Sequence, residues 1–196
     1  AGSTTVNSNV ILGDEKSRIS GRVTAQNGSP LPYIQVTAYM RSTMMGSESW
    51  MEVRSTSTDT SGSYSMAALE AGTYFLRFLD QSGVYAFEYY NNASSLATAI
   101  PVVVPQDTAV QNEDVVMVAG GAITGSVRMY DGQLPGTFRV GVYQADGAGW
   151  RYVLERSFPD AVNMNNDGTY LIGGLATGTY RMQVSTYYYQ GAAYSE

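Results

Sequence analysis

Residues 19–23 read Ile19-Ser20-Gly21-Arg22-Val23, and the pattern returns 104 positions later as Ile123-Thr124-Gly125-Ser126-Val127. Apolar residues alternate here with small or polar ones, the period of a strand with one buried face. Working outward, Leu31-Pro32 returns as Leu134-Pro135, and Val36-Thr37-Ala38-Tyr39 as Val140-Gly141-Val142-Tyr143. Trp50 answers Trp150. Asp59-Thr60-Ser61-Gly62-Ser63-Tyr64 answers Asn165-Asn166-Asp167-Gly168-Thr169-Tyr170, and the Leu69, Gly72, Thr73, Tyr74 series answers Leu175, Gly178, Thr179, Tyr180. Self-similarity at a fixed spacing is the mark of tandem copies of one folding unit.

Each copy reads as β throughout. In the first, residues 19–25, 34–41, 50–57, 63–66 and 73–79 alternate or run apolar between Gly, Pro, Asn and Asp, and 99–104 and 115–118 add two more strands. Seven short strands in about 100 residues is the arithmetic of a sandwich. No segment has a helical period. The expected fold is all-β, with two tandem sandwich domains over residues 19–120 and 121–196 and a free strand in residues 1–18.

Composition narrows the chemistry. The 196 residues hold 21 Gly and 16 Tyr but no His and no Cys, and Lys16 is the single lysine. A histidine base, a cysteine nucleophile, a His/Cys metal cluster and disulfides are all excluded. A phosphate-binding Walker loop is excluded too, because the residue directly before Lys16 is Glu15 and not glycine. With a net charge of −6, the chain offers nothing to neutralise a phosphate track, so no nucleic-acid partner is expected. No apolar run reaches the ~18 residues of a membrane span. Neither an enzymatic role nor a cofactor is expected. A chain beginning at Ala1 fits a mature exported protein whose signal peptide has been cleaved, which implies an extracellular or cell-surface location.

The series Ile-Ser/Thr-Gly-x-Val, Leu-Pro before an apolar strand, Asp-x-x-Gly-x-Tyr, and Leu-x-x-Gly-Thr-Tyr resembles the carboxypeptidase-regulatory-like domain. That is a prealbumin-like sandwich related to the collagen-adhesin B-type repeats of prokaryotic surface proteins. The resemblance spans residues 19–120 fully and 121–196 in part. It implies the fold; such modules serve as stalks, adhesins, fibre subunits and enzyme appendages. The related B-type repeats also raise an intramolecular bond from Lys16 to Asn112 or Asp114, for which the second copy has no lysine.

The second copy ends at Glu196, opposite Tyr90 of the first, so its last strands have no counterpart. A sandwich short of a strand exposes an apolar groove and an unpaired edge. The same offset run backwards sets Thr5-Val6-Asn7-Ser8-Asn9-Val10-Ile11-Leu12 against residues 109–116 without a gap. The leader is therefore expected to act as a donor strand. Strict alternation puts Val6, Val10 and Leu12 on one face around the small Ser8, in slots marked by Val110, Asp114 and Val116, and Thr5 and Ile11 of the same donor strand are expected at the subunit interface too. The expected acceptor is Ile123, Val127, Tyr180, Met182, Val184, Tyr188 and Ala193. Insertion between identical subunits is heterologous and gives a linear homopolymer. The alternatives are a monomeric carbohydrate-binding or adhesive module using exposed aromatics on surface glycans, and accessory domains of a larger secreted protein. Asn27-Gly28-Ser29 and Asn92-Ala93-Ser94 match the glycosylation pattern. The spacing of Asn163, Asn165 and Asp167 matches half of a calcium loop, but Gly174 stands where the bidentate Glu belongs, so a plain turn is expected there.

Overall fold

The protein is described from a computed structural model covering residues 17–44, 47–146, 149–158, 167–186 and 189–195. It is all-β, and no helix occurs among these residues. The chain divides into two compact units, one of Ala1–Phe78 with Tyr89–Val116, the other of Leu79–Glu88 with Met117–Glu196.

In the first unit, β1 (Arg18–Ala25) pairs antiparallel with β4 (Ser63–Met66). On its other edge lie β8 (Ala109–Val110), running parallel to it, and β9 (Val115–Met117). A second sheet has the order β3 (Ser47–Ser57), β2 (Ile34–Met44), β5 (Gly72–Asp80), β6 (Glu88–Tyr89), with β7 (Val102–Val104) also on β5. The two sheets meet through Ile19, Val23 and Met66 on one side and Val36, Tyr74 and Leu76 on the other, all essentially inaccessible. The Tyr64 and Phe78 rings pack edge to face across the core at 5.8 Å.

The second unit repeats this plan in part. Strand β10 (Gly121–Ser126) pairs with β13 (Thr169–Leu175), and a second sheet has the order β12 (Gly149–Phe158), β11 (Phe138–Asp146), β14 (Tyr180–Thr186), β15 (Tyr189–Ser195). Phe138 stacks on Phe158 at 5.3 Å, and Tyr170 touches both from the facing sheet.

Local chemistry explains why the repeat motifs persist. Gly62 and Gly168 both sit at positive φ, +77° and +79°, and a Cβ at either would lie 2.5 Å from the carbonyl oxygen of Val23 or Val127. Only glycine serves both needs. Beside them, the Asp59 and Asp167 carboxylates accept hydrogen bonds from the hydroxyls and then the backbone N–H groups of Ser61 and Thr169, and these bonds, the hydroxyl ones foremost, hold both acids below the ordinary carboxylate range. The β2–β3 and β11–β12 pairs also carry a bulge at the same place, between Ala38 and Tyr39 and between Val142 and Tyr143.

Candidate strand-acceptor site

The site is built on β10. Its pairing with β13 reproduces that of β1 with β4: Gly21 lies opposite Tyr64, and Gly125 opposite Tyr170. The other edge differs. Along β1 the N–H of Arg18 donates to the Thr108 carbonyl (3.1 Å), and the N–H of Glu113 to the Ser20 carbonyl (3.1 Å). The Arg22 N–H donates to the Asp114 carboxylate at 2.8 Å. Among the described residues no strand pairs with the corresponding edge of β10.

Burial follows from that difference. Ile19, Val23, Tyr74 and Phe78 are all 0% exposed. Their counterparts Ile123, Val127, Tyr180 and Val184 are only half-buried, while Met182 stays buried. A cavity of about 420 Å³ opens beside β10, lined by Gly121, Ala122, Ile123, Leu175, Gly178 and Tyr180. In the first unit β7 covers the matching part of β5, with Val104 opposite Gly72 and Val102 opposite Tyr74. Tyr74 and Tyr180 each donate their hydroxyl to a carbonyl four residues earlier, of Glu70 (2.8 Å) and Ala176 (2.6 Å), so the rim is built alike in both copies.

The structure thus gathers Ile123, Val127, Tyr180, Met182 and Val184 in one unit. Ala193 lies on β15 opposite Val184. Tyr188, and the donor residues Thr5, Val6, Ser8, Val10, Ile11 and Leu12, fall outside the described residues, as do Lys16, Asn163 and Asn165.

One expectation needs correction. Val110, Asp114 and Val116 do not mark out a core slot. Val116 is 51% exposed, Asp114 is exposed, and Val115 and Met117 are the buried residues. The reason is a break in the strand. Residues 111–114 are irregular, Asn112 takes φ +66°, and the Asp114 carboxylate turns back to the Arg22 N–H. The break resets the alternation, so half-buried Val110 and buried Val115, five positions apart, take inward places.

Sequence reading also passed over a tyrosine contact. The Tyr64 hydroxyl donates to the Glu113 carbonyl at 2.8 Å, tying β4 to the closing segment. Burial, with Glu113 close by, drives the Tyr64 pKa far above the usual phenol range. Its repeat position, paired with a glycine, was the available signal.

The other candidates resolve simply. Trp150 does not offer a bare platform, because the Arg181 guanidinium lies over its ring at 5.3 Å and over Tyr143 at 5.8 Å. Trp50 packs edge to face on Phe75 at 4.8 Å. Asn27 and Asn92 are both exposed in turns. No cluster able to hold a metal ion occurs among the described residues, and no helix there is long and apolar enough to cross a membrane.

The described residues define a class: an all-β chain of two compact units that share a repeated strand plan. The carboxypeptidase regulatory-like domain family matches residues 18–117, and the chain belongs to that family. No curated protein matches it in sequence. Among solved structures it is similar to a streptococcal ancillary pilin (14% identity, TM-score 0.37, 91% of this chain and 57% of that one). It is similar also to the Bacillus anthracis TIE protein (15%, 0.37, 86% and 28%) and to the shaft pilin spaA of Lactobacillus rhamnosus GG (11%, 0.31, 91% and 91%). The chain thus spans little more than half of the first of these proteins and about a quarter of the second.

Proposed function

We propose that the chain is a structural subunit of an extracellular filament, in which residues 5–12 of one molecule complete the second repeat of the next. The observation that carries this reading is the half-buried state of Ile123 and Val127 beside a strand edge that no described strand pairs, where Ile19 and Val23 of the first repeat are fully covered. The leader's ungapped match to residues 109–116, the segment that closes the first repeat, supports it as the occupant. Because the break in that segment resets the alternation, the inward residues are Val6 and Ile11, in the places of Val110 and Val115, rather than Val6, Val10 and Leu12. Each such side chain contributes about 1.5–3 kcal/mol on burial, and the backbone bonds of the new strand add to this. The contact joins unlike surfaces and does not close on itself, so it propagates linearly.

Negative-stain microscopy and sedimentation of the full chain, compared with a chain lacking residues 1–13, test this. Filaments from the full chain, non-polymerising material from the shortened one, and capping of filaments by a peptide of residues 4–13 are expected. Filaments of normal form from the shortened chain, or a full chain that stays monomeric as concentration rises, would overturn it.

A further inference from the structure

We infer that the incoming leader runs parallel to β10 and that the Tyr170 hydroxyl clamps its backbone at the Asn9 carbonyl; this rests on the strand-donor reading above. Three observations in the first repeat carry the inference. Strand β8 is parallel to β1, with Ala109 opposite Arg18 and Val110 opposite Ile19. Tyr64 donates its hydroxyl to the Glu113 carbonyl. A Cβ on Gly21 would collide with that same Glu113 backbone, so the glycine leaves room for a chain lying close against β1.

The second repeat keeps the glycine and the tyrosine of this device, and among the described residues no closing chain lies beside them. Gly125 lies opposite Tyr170, as Gly21 lies opposite Tyr64. No described strand pairs with that edge, and the Tyr170 ring rests over the glycine, its hydroxyl 2.5 Å from where a Cβ would stand. Tyr170 is half-buried where Tyr64 is 4% exposed, and it makes no hydroxyl hydrogen bond among the described residues. By the repeat offset, Thr5 falls opposite Ala122, Val6 opposite Ile123 at the cavity wall, and Asn9 in the place of Glu113. The Ala122 N–H then meets the Thr4 carbonyl, as the Arg18 N–H meets that of Thr108. Parallel pairing is slightly weaker per residue than antiparallel, and a side-chain clamp to the backbone offsets part of that deficit.

The absence of native cysteine makes a direct test clean. Two double variants of the full chain share Thr5→Cys and differ in its mate, Ala122→Cys or Ser126→Cys. These mates stand at opposite ends of β10, about 13 Å apart, further than a disulfide reaches. Under mild oxidation the Thr5/Ala122 pair is expected to convert filaments into covalent ladders on a denaturing gel, and the Thr5/Ser126 pair is not. A ladder from the Thr5/Ser126 pair alone would overturn the parallel direction. So would filaments that require residues 1–13 yet give no ladder from either pair, and that outcome would leave the filament reading standing. Tyr170→Phe should raise the subunit dissociation constant roughly three- to tenfold. An unchanged constant would overturn the clamp.

Discussion

Strands β1 and β10 share a five-residue pattern, an antiparallel partner in the same register and a glycine opposite a tyrosine, yet Ile19 and Val23 are sealed from water while Ile123 and Val127 are not. The strand's own sequence therefore does not decide its burial. The second neighbour does: β8, the irregular residues 111–114 and β9 cover one edge of β1, and no described strand covers that of β10. An uncovered edge flanked by half-buried apolar residues is costly in an isolated protein, and natural sheets ordinarily blunt such edges with charge, proline or a covering loop. Here the exposed residues of β10 are Gly121, Ala122, Thr124 and Ser126, small or uncharged, so the edge remains fit for pairing.

The largest effect should come from abolishing the difference in cis. A second copy of residues 91–118 fused after Glu196 gives the second repeat the same closing chain as the first. Filaments should then be lost and a monomer obtained, with its second repeat as resistant to proteolysis as its first. Sedimentation velocity and limited proteolysis read both results. Undiminished filaments from the fused chain would mean that the β10 edge is not where subunits join.

A smaller effect separates the two tyrosines. Tyr64→Phe leaves the Glu113 carbonyl without its side-chain donor inside the closed repeat and should cost about 1 kcal/mol of stability. In the leader-deleted chain, Tyr170→Phe should cost close to nothing, since no described residue partners that hydroxyl. Denaturant midpoints of the two variants give the comparison directly. The displaced Tyr64 pKa adds a spectroscopic check. Its phenol should stay protonated through the ordinary tyrosine range and ionise only as the fold is lost at high pH, because burial and the neighbouring Glu113 both oppose the phenolate. The sign is definite: a pKa raised on folding means the native state holds this proton more tightly than the unfolded chain. The contribution is complete below the unfolded value near 10 and is withdrawn as pH rises above it.

Much of this architecture was legible from spacing alone. The turn motifs Asp-x-x-Gly-x-Tyr and Leu-x-x-Gly-Thr-Tyr have steric and hydrogen-bonding causes that allow few substitutes, so they recur and locate β4, β5, β13 and β14. Strands β6 and β8, two residues each, carry no period that a pattern could register. The phase of the closing segment was misread for a physical reason. Alternation predicts a face only while the strand continues, and the left-handed turn at Asn112 with the Asp114 contact interrupts it. The positions of Ile123, Val127, Tyr180 and Val184 were easier to read than the phase of residues 109–116, because their counterparts Ile19, Val23, Tyr74 and Phe78 lie within unbroken strands.

That interruption sets up the smallest and sharpest prediction. Asn112 holds φ +66°, a conformation that asparagine adopts several-fold more readily than most residues with a side chain. The leader has Ser8 at this position, so a donor that copies the break must place serine in the left-handed region. Ser8→Asn should relieve part of that cost and tighten assembly by a few tenths of a kcal/mol, about a twofold fall in the critical concentration. Ser8→Gly should do likewise, with some of the gain lost to the greater freedom of the unbound leader. A β-branched residue tells the two registers apart. If the leader follows the broken path of residues 109–116, Ser8→Val should raise the critical concentration, since valine is poorly suited to positive φ. If it inserts as one uninterrupted strand with Val10 and Leu12 inward, Ser8→Val lies at an ordinary strand position and should lower it. Opposite signs from one substitution, read by sedimentation of the full chain, decide whether the donor reproduces the closing segment of the first repeat or only replaces it.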